Sequence, residues 1–166
     1  MTASGNNHIA VAQLGDAVLF RVVGLGNMSA TPAIAALAER ILSEKTHKFA
    51  FDLSACSGVD STFMGTLVAI AMQSKSRYPS AWVCVVNASI KVSQALENVG
   101  AARFLRFKTS LPLEDIEMEQ LDVTVISQDE RLRVIQRAHE RLVEIDKRNA
   151  ERFGPFLASL SRELDT

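Results

Sequence analysis

The stretch FDLSACSGVDSTFMGTL, residues 51–67, decides the fold because it joins two kinds of regular structure through a polar junction. Its beginning completes the apolar run KFAFDLSA, which is typical of a strand, and its end opens STFMGTLVAIAMQSKSRY, which has the spacing of a helix. That helix carries a broad apolar face, formed by Phe63, Met64, Leu67, Val68, Ile70 and Ala71. Such a face predicts packing against a sheet.

On the amino-terminal side, two β-rich runs, HIAVAQLG and DAVLFRVV, are separated by Gly15 and Asp16. This pair of turn residues predicts a hairpin. Further on, Thr31 and Pro32 open the apolar-periodic run AIAALAERILSEK, which ends at Lys45. Threonine is a good N-cap and proline suits the first helical position, so a helix is predicted to begin here with Thr31 as its N-cap.

On the carboxyl side, AWVCVVNAS has the continuous apolar character of an interior strand. Ser89 is placed to cap the helix IKVSQALENV, Gly100 is placed to end it, and a short last strand is predicted at or just after RFLRF. Strands that alternate with helices predict an α/β fold, and the opening hairpin favours a mixed sheet over a purely parallel one. We therefore predict a small mixed β-sheet packed with α-helices over residues 8–112.

From residue 113 to 166 the composition changes to an acidic segment followed by charged helices. Ser127 and Glu130 have the spacing of a capping box, and Gly154-Pro155 predicts a break between two helices. Each helix carries a narrow apolar seam, namely Leu132, Ile135, His139 and Leu142, then Phe156, Leu157, Leu160 and Leu164. This helical C-terminal extension is expected to dock on the first domain or to form a homo-oligomer, and the sequence leaves both open.

Bulk composition is that of an ordinary globular protein, with 48% hydrophobic and 22% charged residues. A formal net charge of −1 predicts no overall electrostatic attraction to nucleic acid or to an anionic membrane. No apolar run approaches the ~18 residues of a membrane span, and MTASGNNH lacks the layout of a signal peptide. Two well-separated cysteines suggest reduced thiols. The prediction is a soluble, cytoplasmic protein without nucleic-acid or membrane partners.

Catalytic and metal-binding signals are weak along the whole chain. His8, His47 and His139 are scattered and lack partners at metal-ligand spacing, and His139 is expected to be a packed residue of its helix. The sequence has neither a GxSxG nucleophile elbow nor a GxxxxGK[ST] phosphate loop. Cys56 is interpreted as a small apolar residue and Asp52 as a turn former. The sequence therefore predicts a non-enzymatic protein without a cofactor or metal.

The junction itself has two interpretations. Asp60 or Ser61 as the N-cap of the helix would stabilise it by about 1 kcal/mol, and this alone accounts for Asp-Ser-Thr. Alternatively, a hydroxyl at a helix N-terminus is a place where orphan N–H groups and the helix dipole favour an added phosphate. A phosphate there would change the surface without melting its own helix, which suits a binding switch.

The same stretch resembles the central motif of STAS domains of the anti-sigma factor antagonist type. In that motif an apolar strand ending in Asp-Leu-Ser leads to Asp-Ser-Ser/Thr-Gly at the start of a helix. The block VCVVNASIKVSQALENVGAARFLRF resembles the strand, loop, helix, glycine and final strand that follow in the family. The resemblance covers about residues 8–112, and the extension from residue 113 lies outside it.

The resemblance implies a partner switch in a bacterial signal transduction pathway that regulates transcription. An antagonist of this family binds an anti-sigma factor that is also a serine kinase, loses binding when phosphorylated, and is restored by a PP2C-type phosphatase. By position, Ser61 is the implied phosphoacceptor and Thr62 the second choice. The implied partner-binding residues are Asn27, Asp60, Thr62, Phe63, Met64 and Gly65.

Two positions depart from the family pattern. Phe63 replaces the glycine that follows the hydroxyl pair, and it is either an exposed anchor for a partner or a core residue. Asn27 stands where the family often has aspartate. Gly65, four residues after Ser61 on the helix, predicts an open groove beside the hydroxyl. Two other functions stay open, an unswitched scaffold or adaptor and a small-molecule sensor with a pocket between helices.

Overall fold

The computed structural model describes residues 7–44, 46–123 and 125–166. The predicted reach of the first helix to Lys45 and the polar terminus at residues 1–6 lie outside the described residues. In chain order the elements are β1 (His8–Leu14), β2 (Ala17–Gly26), α1 (Thr31–Ser43), β3 (Lys48–Asp52), β4 (Cys56–Val59), α2 (Ser61–Arg77), β5 (Trp82–Val86), α3 (Ile90–Asn98), a 3-10 turn (Ala101–Phe104), β6 (Arg106–Lys108), β7 (Glu119–Leu121), α4 (Gln128–Ile145) and α5 (Arg148–Leu164).

The strands form one mixed sheet in the order β6-β5-β3-β2-β1-β7. β1 and β2 are an antiparallel hairpin whose turn begins at Gly15, with a φ of 61°. β2, β3, β5 and β6 run parallel, and β7 returns antiparallel to β1. β4 pairs in parallel with the end of β2, and the register shifts between Gly24 and Leu25. The predicted mixed sheet with helices is confirmed.

The main core lies between one face of the sheet and the helices. Phe20 and Phe51 stack there with ring centroids 4.9 Å apart, and Phe63 and Leu67 of α2 close over the same cluster. Because side chains alternate along a strand, Leu19 faces the opposite side. On that side a smaller cluster is covered by the chain before β7, through Leu113, Ile116 and Met118.

Two strands escaped the sequence prediction. β4 has only four residues, CSGV, and these lack the apolar alternation by which strands are found. β7 has three residues and is mostly exposed. Both form because a neighbouring strand offers unpaired backbone groups, the end of β2 for β4 and the outer edge of β1 for β7.

Two predicted helix boundaries are wrong. The N-cap of α1 is Ala30 rather than Thr31, because the Thr31 hydroxyl donates to the Asn27 carbonyl (2.9 Å) and its backbone is already helical. Pro32 does lie in the first turn, as expected. The break between the last helices comes after Ile145, and α5 continues through Pro155. A proline removes one backbone hydrogen bond, and the buried Leu160 holds the later part of the helix in place.

Candidate functional site at the start of helix α2

Asp60 is the residue that starts α2. Its backbone is extended (φ −99°, ψ 173°), and Oδ1 accepts a hydrogen bond from the Phe63 N–H at 2.8 Å. Oδ2 accepts from the Met28 N–H at 3.0 Å, in the loop between β2 and α1. The Asp60 N–H donates to the Gly26 carbonyl at 2.9 Å. Asp60 therefore caps the helix and also joins it to the end of β2.

Ser61 is the first residue of α2 and is half-buried. The sequence left either Asp60 or Ser61 as the N-cap of α2. In the structure the N-cap is Asp60. The Ser61 Oγ lies 2.7 Å from Nε2 of His139, a residue of α4. The hydroxyl thus makes its hydrogen bond with the C-terminal extension rather than with the backbone of its own helix.

His139 is held in one orientation by contacts on both sides of its ring. Nδ1 lies 2.7 Å from the Ile135 carbonyl, which can only accept, so Nδ1 donates. In the neutral imidazole, Nε2 is then an acceptor, and the Ser61 hydroxyl donates to it. The ring also makes edge contacts with Phe153 and Phe156 of α5, at centroid distances of 5.0 and 4.9 Å. Only 4% of His139 is exposed.

Gly65 lies one helical turn after Ser61, where the backbone of α4 lies directly against α2. A Cβ at Gly65 would lie 2.2 Å from the Ala138 carbonyl oxygen and 2.9 Å from its Cα. The predicted open groove beside the hydroxyl is therefore wrong, because the backbone of α4 fills it. Glycine here permits an approach between two helix backbones that any side chain would prevent.

The other residues predicted around the switch lie inside the fold. Thr62, Phe63 and Met64 are buried, with exposed fractions of 5%, 1% and 7%. The Phe63 ring packs under the end of β2, so that a Cβ at Gly26 would lie 3.2 Å from it. Phe63 is thus a core residue, and the alternative of an exposed anchor is wrong. Asn27 is half-buried, and its side-chain oxygen accepts from the Ser29 N–H at 3.0 Å.

Two other residues singled out from the sequence have structural contacts away from Ser61. The carboxylate of Asp52, at the end of β3, is buried and pairs with Arg21 at 2.8 Å. The Cys56 thiol donates to the Gly58 carbonyl at 3.3 Å and is buried.

Across residues 7–44, 46–123 and 125–166, no group of three His, Cys, Asp or Glu side chains is placed to hold a metal ion. In the same ranges no helix is long and apolar enough to cross a membrane.

Comparison with protein families identifies the family to which this fold belongs. A family model described as "STAS domain" matches residues 8–115. The chain belongs to the STAS domain family. No curated protein sequence matches it significantly.

Solved structures share the STAS fold. A candidate anti-sigma factor antagonist from Thermotoga maritima has a TM-score of 0.56 at 17% identity, covering 62% of this chain and 87% of its own. The anti-sigma factor antagonist SpoIIAA in its unphosphorylated form has a TM-score of 0.51 at 16% identity, with 64% and 92% covered. The NMR structure of TM1081 gives 0.54 at 18% identity, with 60% and 79% covered. At these identities the likeness shows the fold.

The helices α4 and α5 lie outside the STAS match, yet α4 is bonded to Ser61 through His139. They are joined at Asp146, whose carboxylate binds the Arg148 side chain at 2.7 Å and the Arg148 N–H at 3.0 Å. The Arg148 side chain and then its backbone N–H lower the pKa of Asp146 to about 2. Asn149, fully buried, donates to the carbonyls of Val99 and Leu142, at 2.8 and 2.7 Å. These bonds tie the extension to the end of α3.

Sequence reasoning singled out Ser61 but missed its hydrogen-bond partner. His139 was expected to be packed, which it is, but its bond to Ser61 joins residues that are far apart in the chain. One signal was present, since His139 is the only polar member of the α4 seam. A polar side chain inside an apolar seam needs a partner on the facing element.

Proposed function

We propose that this STAS domain protein is a non-enzymatic regulatory binding protein of the anti-sigma factor antagonist type, switched by phosphorylation of Ser61. In this proposal an anti-sigma factor with serine kinase activity binds the unmodified protein and phosphorylates it. A PP2C-type phosphatase reverses the modification. The setting is the bacterial cytoplasm, where the released sigma factor alters transcription.

One observation carries the proposal: the start of α2 is built without the Ser61 hydroxyl. Asp60 uses both carboxylate oxygens for the helix cap and the β2–α1 loop. The STAS fold therefore does not need the neighbouring hydroxyl, which is half-buried at the motif position. Thr62, the second choice, is buried and stays the weaker candidate. SpoIIAA, which shares the fold, is described in its unphosphorylated form, and this supports phosphorylation as the kind of regulation.

The charge of a phosphate is large enough to abolish binding of a partner at this surface. A phosphate adds a charge of about −1.5 to −2 and would lie beside the Asp60 carboxylate. Burying that charge in an interface without a cation is costly, and a loss of about 4 kcal/mol weakens binding roughly a thousandfold. Asp60 and Asn27, in the loop that Asp60 binds through the Met28 N–H, are the proposed partner-binding residues at the helix start. Thr62 and Met64, which are buried, and Gly65, which α4 covers, are proposed to contribute only by supporting the shape of that surface.

The first test is the intact mass of the protein purified from its native cells, with any phosphate mapped by fragmentation. We expect a phosphate on Ser61 that a PP2C-type phosphatase removes. Reproducible absence of phosphate across growth and stress conditions would contradict the proposal.

Binding provides the second readout of the same prediction. A partner captured with the Ser61→Ala protein is expected to lose affinity strongly for Ser61→Asp, while the far-UV spectrum stays unchanged. The matched control is Ser89→Asp, which places the same charge at the exposed N-cap of α3. Equal affinities for the two aspartate variants would show that Ser61 is not a switch.

A second candidate function is an unswitched adaptor in a signalling complex. The bond between Ser61 and His139 favours it, since a hydroxyl used to dock α4 has a structural reason to be there. In that case the extension presents α5 to a partner or to a second copy, through its half-exposed Phe156.

Two further expectations from the sequence stay predictions. They are the division of the chain between residues 112 and 113 and self-association through the C-terminal helices. A small-molecule sensor is the third proposal, with the groove between α1, α2 and α4 as its pocket.

A further inference from the structure

We propose that the α4–α5 hairpin is an internal competitor for the switch surface: docked α4 and either a bound partner or a phosphate on Ser61 exclude each other. The switch surface is the face of α2 formed by Ser61 and Gly65. This inference rests on the proposed function for the choice of Ser61 as the modified residue, and it adds that the chain itself regulates access to that residue.

The hydrogen bond at Ser61 is the first reason for exclusion. Ser61 Oγ and His139 Nε2 are 2.7 Å apart, so nothing fits between them. A phosphate replaces the hydroxyl proton by a phosphorus atom with three further oxygens, and the 2.7 Å contact leaves no room for this group while the ring stays where it is. The ring cannot move aside without losing the bond from Nδ1 to the Ile135 carbonyl and the edge contacts with Phe153 and Phe156. A phosphate on Ser61 therefore displaces His139, and α4 with it.

Backbone packing at Gly65 is the second reason. The Ala138 carbonyl lies so close to Gly65 that even a methyl group would overlap it. A partner that contacts this part of α2 must occupy the volume that α4 holds. Competition at Gly65 thus follows from steric exclusion, independently of the charge at Ser61.

The extension has the architecture of a cover that opens on a tether. β7 pairs with β1 and anchors the chain before the cover. Six residues of chain separate the end of β7 from the start of α4, and a chain of that length spans at most ~20 Å. The cover buries few side chains of its own, namely Ala138, His139 and Leu142 of α4 and Asn149 and Leu160 of α5.

Hydrogen exchange of the full-length chain tests the exclusion, using protein made with phosphoserine at position 61. We expect amides of α4 and α5 to exchange about tenfold faster or more than in the unmodified protein, because a local opening exposes them. Peptides from β3 and β5 should keep their protection. Wild-type protection over α4 in the phosphoserine protein would overturn the proposal.

Gly65→Ala is the matching steric variant. It adds only a methyl group, alanine favours a helix, and the added carbon meets Ala138, so α4 should exchange faster although Ser61 is unmodified. The control is Glu140→Ala, at an exposed position of α4, which should keep wild-type exchange. Wild-type exchange of α4 in Gly65→Ala would contradict the steric part. If β3 and β5 also lose protection in Gly65→Ala, that variant is destabilised as a whole. The exchange of the phosphoserine protein is then the test of the proposal.

These outcomes separate the cover from the switch. The exchange experiment needs neither a kinase nor a partner, so absence of phosphate in native cells contradicts the proposed function and leaves the exchange result standing. Phosphate found on Ser61 in cells, together with an unchanged α4, contradicts the cover and leaves the switch standing.

Discussion

At the scale of the residue, the motif Asp60-Ser61 divides two tasks between adjacent side chains. Asp60 has both carboxylate oxygens bound to backbone N–H groups of the fold. Ser61 directs its hydroxyl to another element, α4. The same dipeptide can therefore keep the helix start intact while its serine changes partner, which is what a switch without unfolding requires.

Removing the Asp60 carboxylate is expected to destabilise the fold. Asp60→Ala loses the cap on Phe63 and the bond to Met28, and we expect the free energy of unfolding in urea to fall by about 1–2 kcal/mol. Asp60→Asn, which keeps a single acceptor oxygen, should lose less. Ser89→Ala, which removes a cap with one bond at the start of α3, is the matched comparison. A wild-type unfolding midpoint for Asp60→Ala would refute the assigned role.

At the scale of the element, α2 is covered on two sides by other parts of the fold. One side packs on the sheet through Phe63 and Leu67, and the other receives α4 at Gly65. Small residues are required on the second side because two helix backbones approach there. The sequence pattern of α2 alone shows a broad apolar face and gives no sign of which neighbour lies on which side.

The turn between α4 and α5 gives the extension a pH dependence. Since the folded pKa of Asp146, about 2, lies below its ordinary value of 3.8, the ionised carboxylate stabilises the folded turn above pH 3.8. That stabilisation is lost as the pH falls from 3.8 toward 2. We expect Asp146→Asn to lower the urea midpoint most at neutral pH, with the difference from wild type shrinking below pH 3.8.

The control for this pH series is Asp115→Asn, which removes one negative charge from an exposed turn before β7. It should leave the midpoint close to wild type at neutral pH. A constant difference between Asp146→Asn and wild type across the whole acid range would contradict the assigned contribution of the Asp146 carboxylate.

At the scale of the whole molecule, a STAS domain and two added helices share one surface. Leu142 of α4 is fully buried and belongs to the main core cluster, so the extension is attached at the core. The sheet, by contrast, is stabilised on both faces by side chains that precede α4. We therefore expect the extension to open before the sheet unfolds.

Truncation of the α4 anchor tests that order of events. Leu142→Ala is expected to cost about 2–4 kcal/mol in docking, from lost apolar contact and the cavity that remains. Hydrogen exchange should rise strongly over α4 and α5 and much less over β3 and β5. Leu132→Ala, at a half-buried position near the start of α4, should have a smaller effect. An equal rise in α4 and β3 would mean that the extension and the sheet unfold as one unit.

Much of this architecture follows from local pattern. The hairpin at Gly15, the caps at Ser89 and Ser127 and the helix after Asp60 lie where the sequence predicts them. The errors lie where a local signal is outweighed by packing, as at Pro155, or is too short to read, as in β4 and β7. For the candidate site, the motif marks Ser61, but nothing near it in the chain marks His139 or Ala138.

The sequence by itself determined the mixed α/β fold, the start of α2 and the position of the motif serine, because each depends on residues that are neighbours in the chain. Only the tertiary structure decided that Phe63 belongs to the core, that the groove at Gly65 is filled, and that the Ser61 hydroxyl meets His139. These contacts join α2 to β2 and to α4, elements brought together by the burial of apolar surface. Their geometry depends on how the elements pack, which no local pattern specifies.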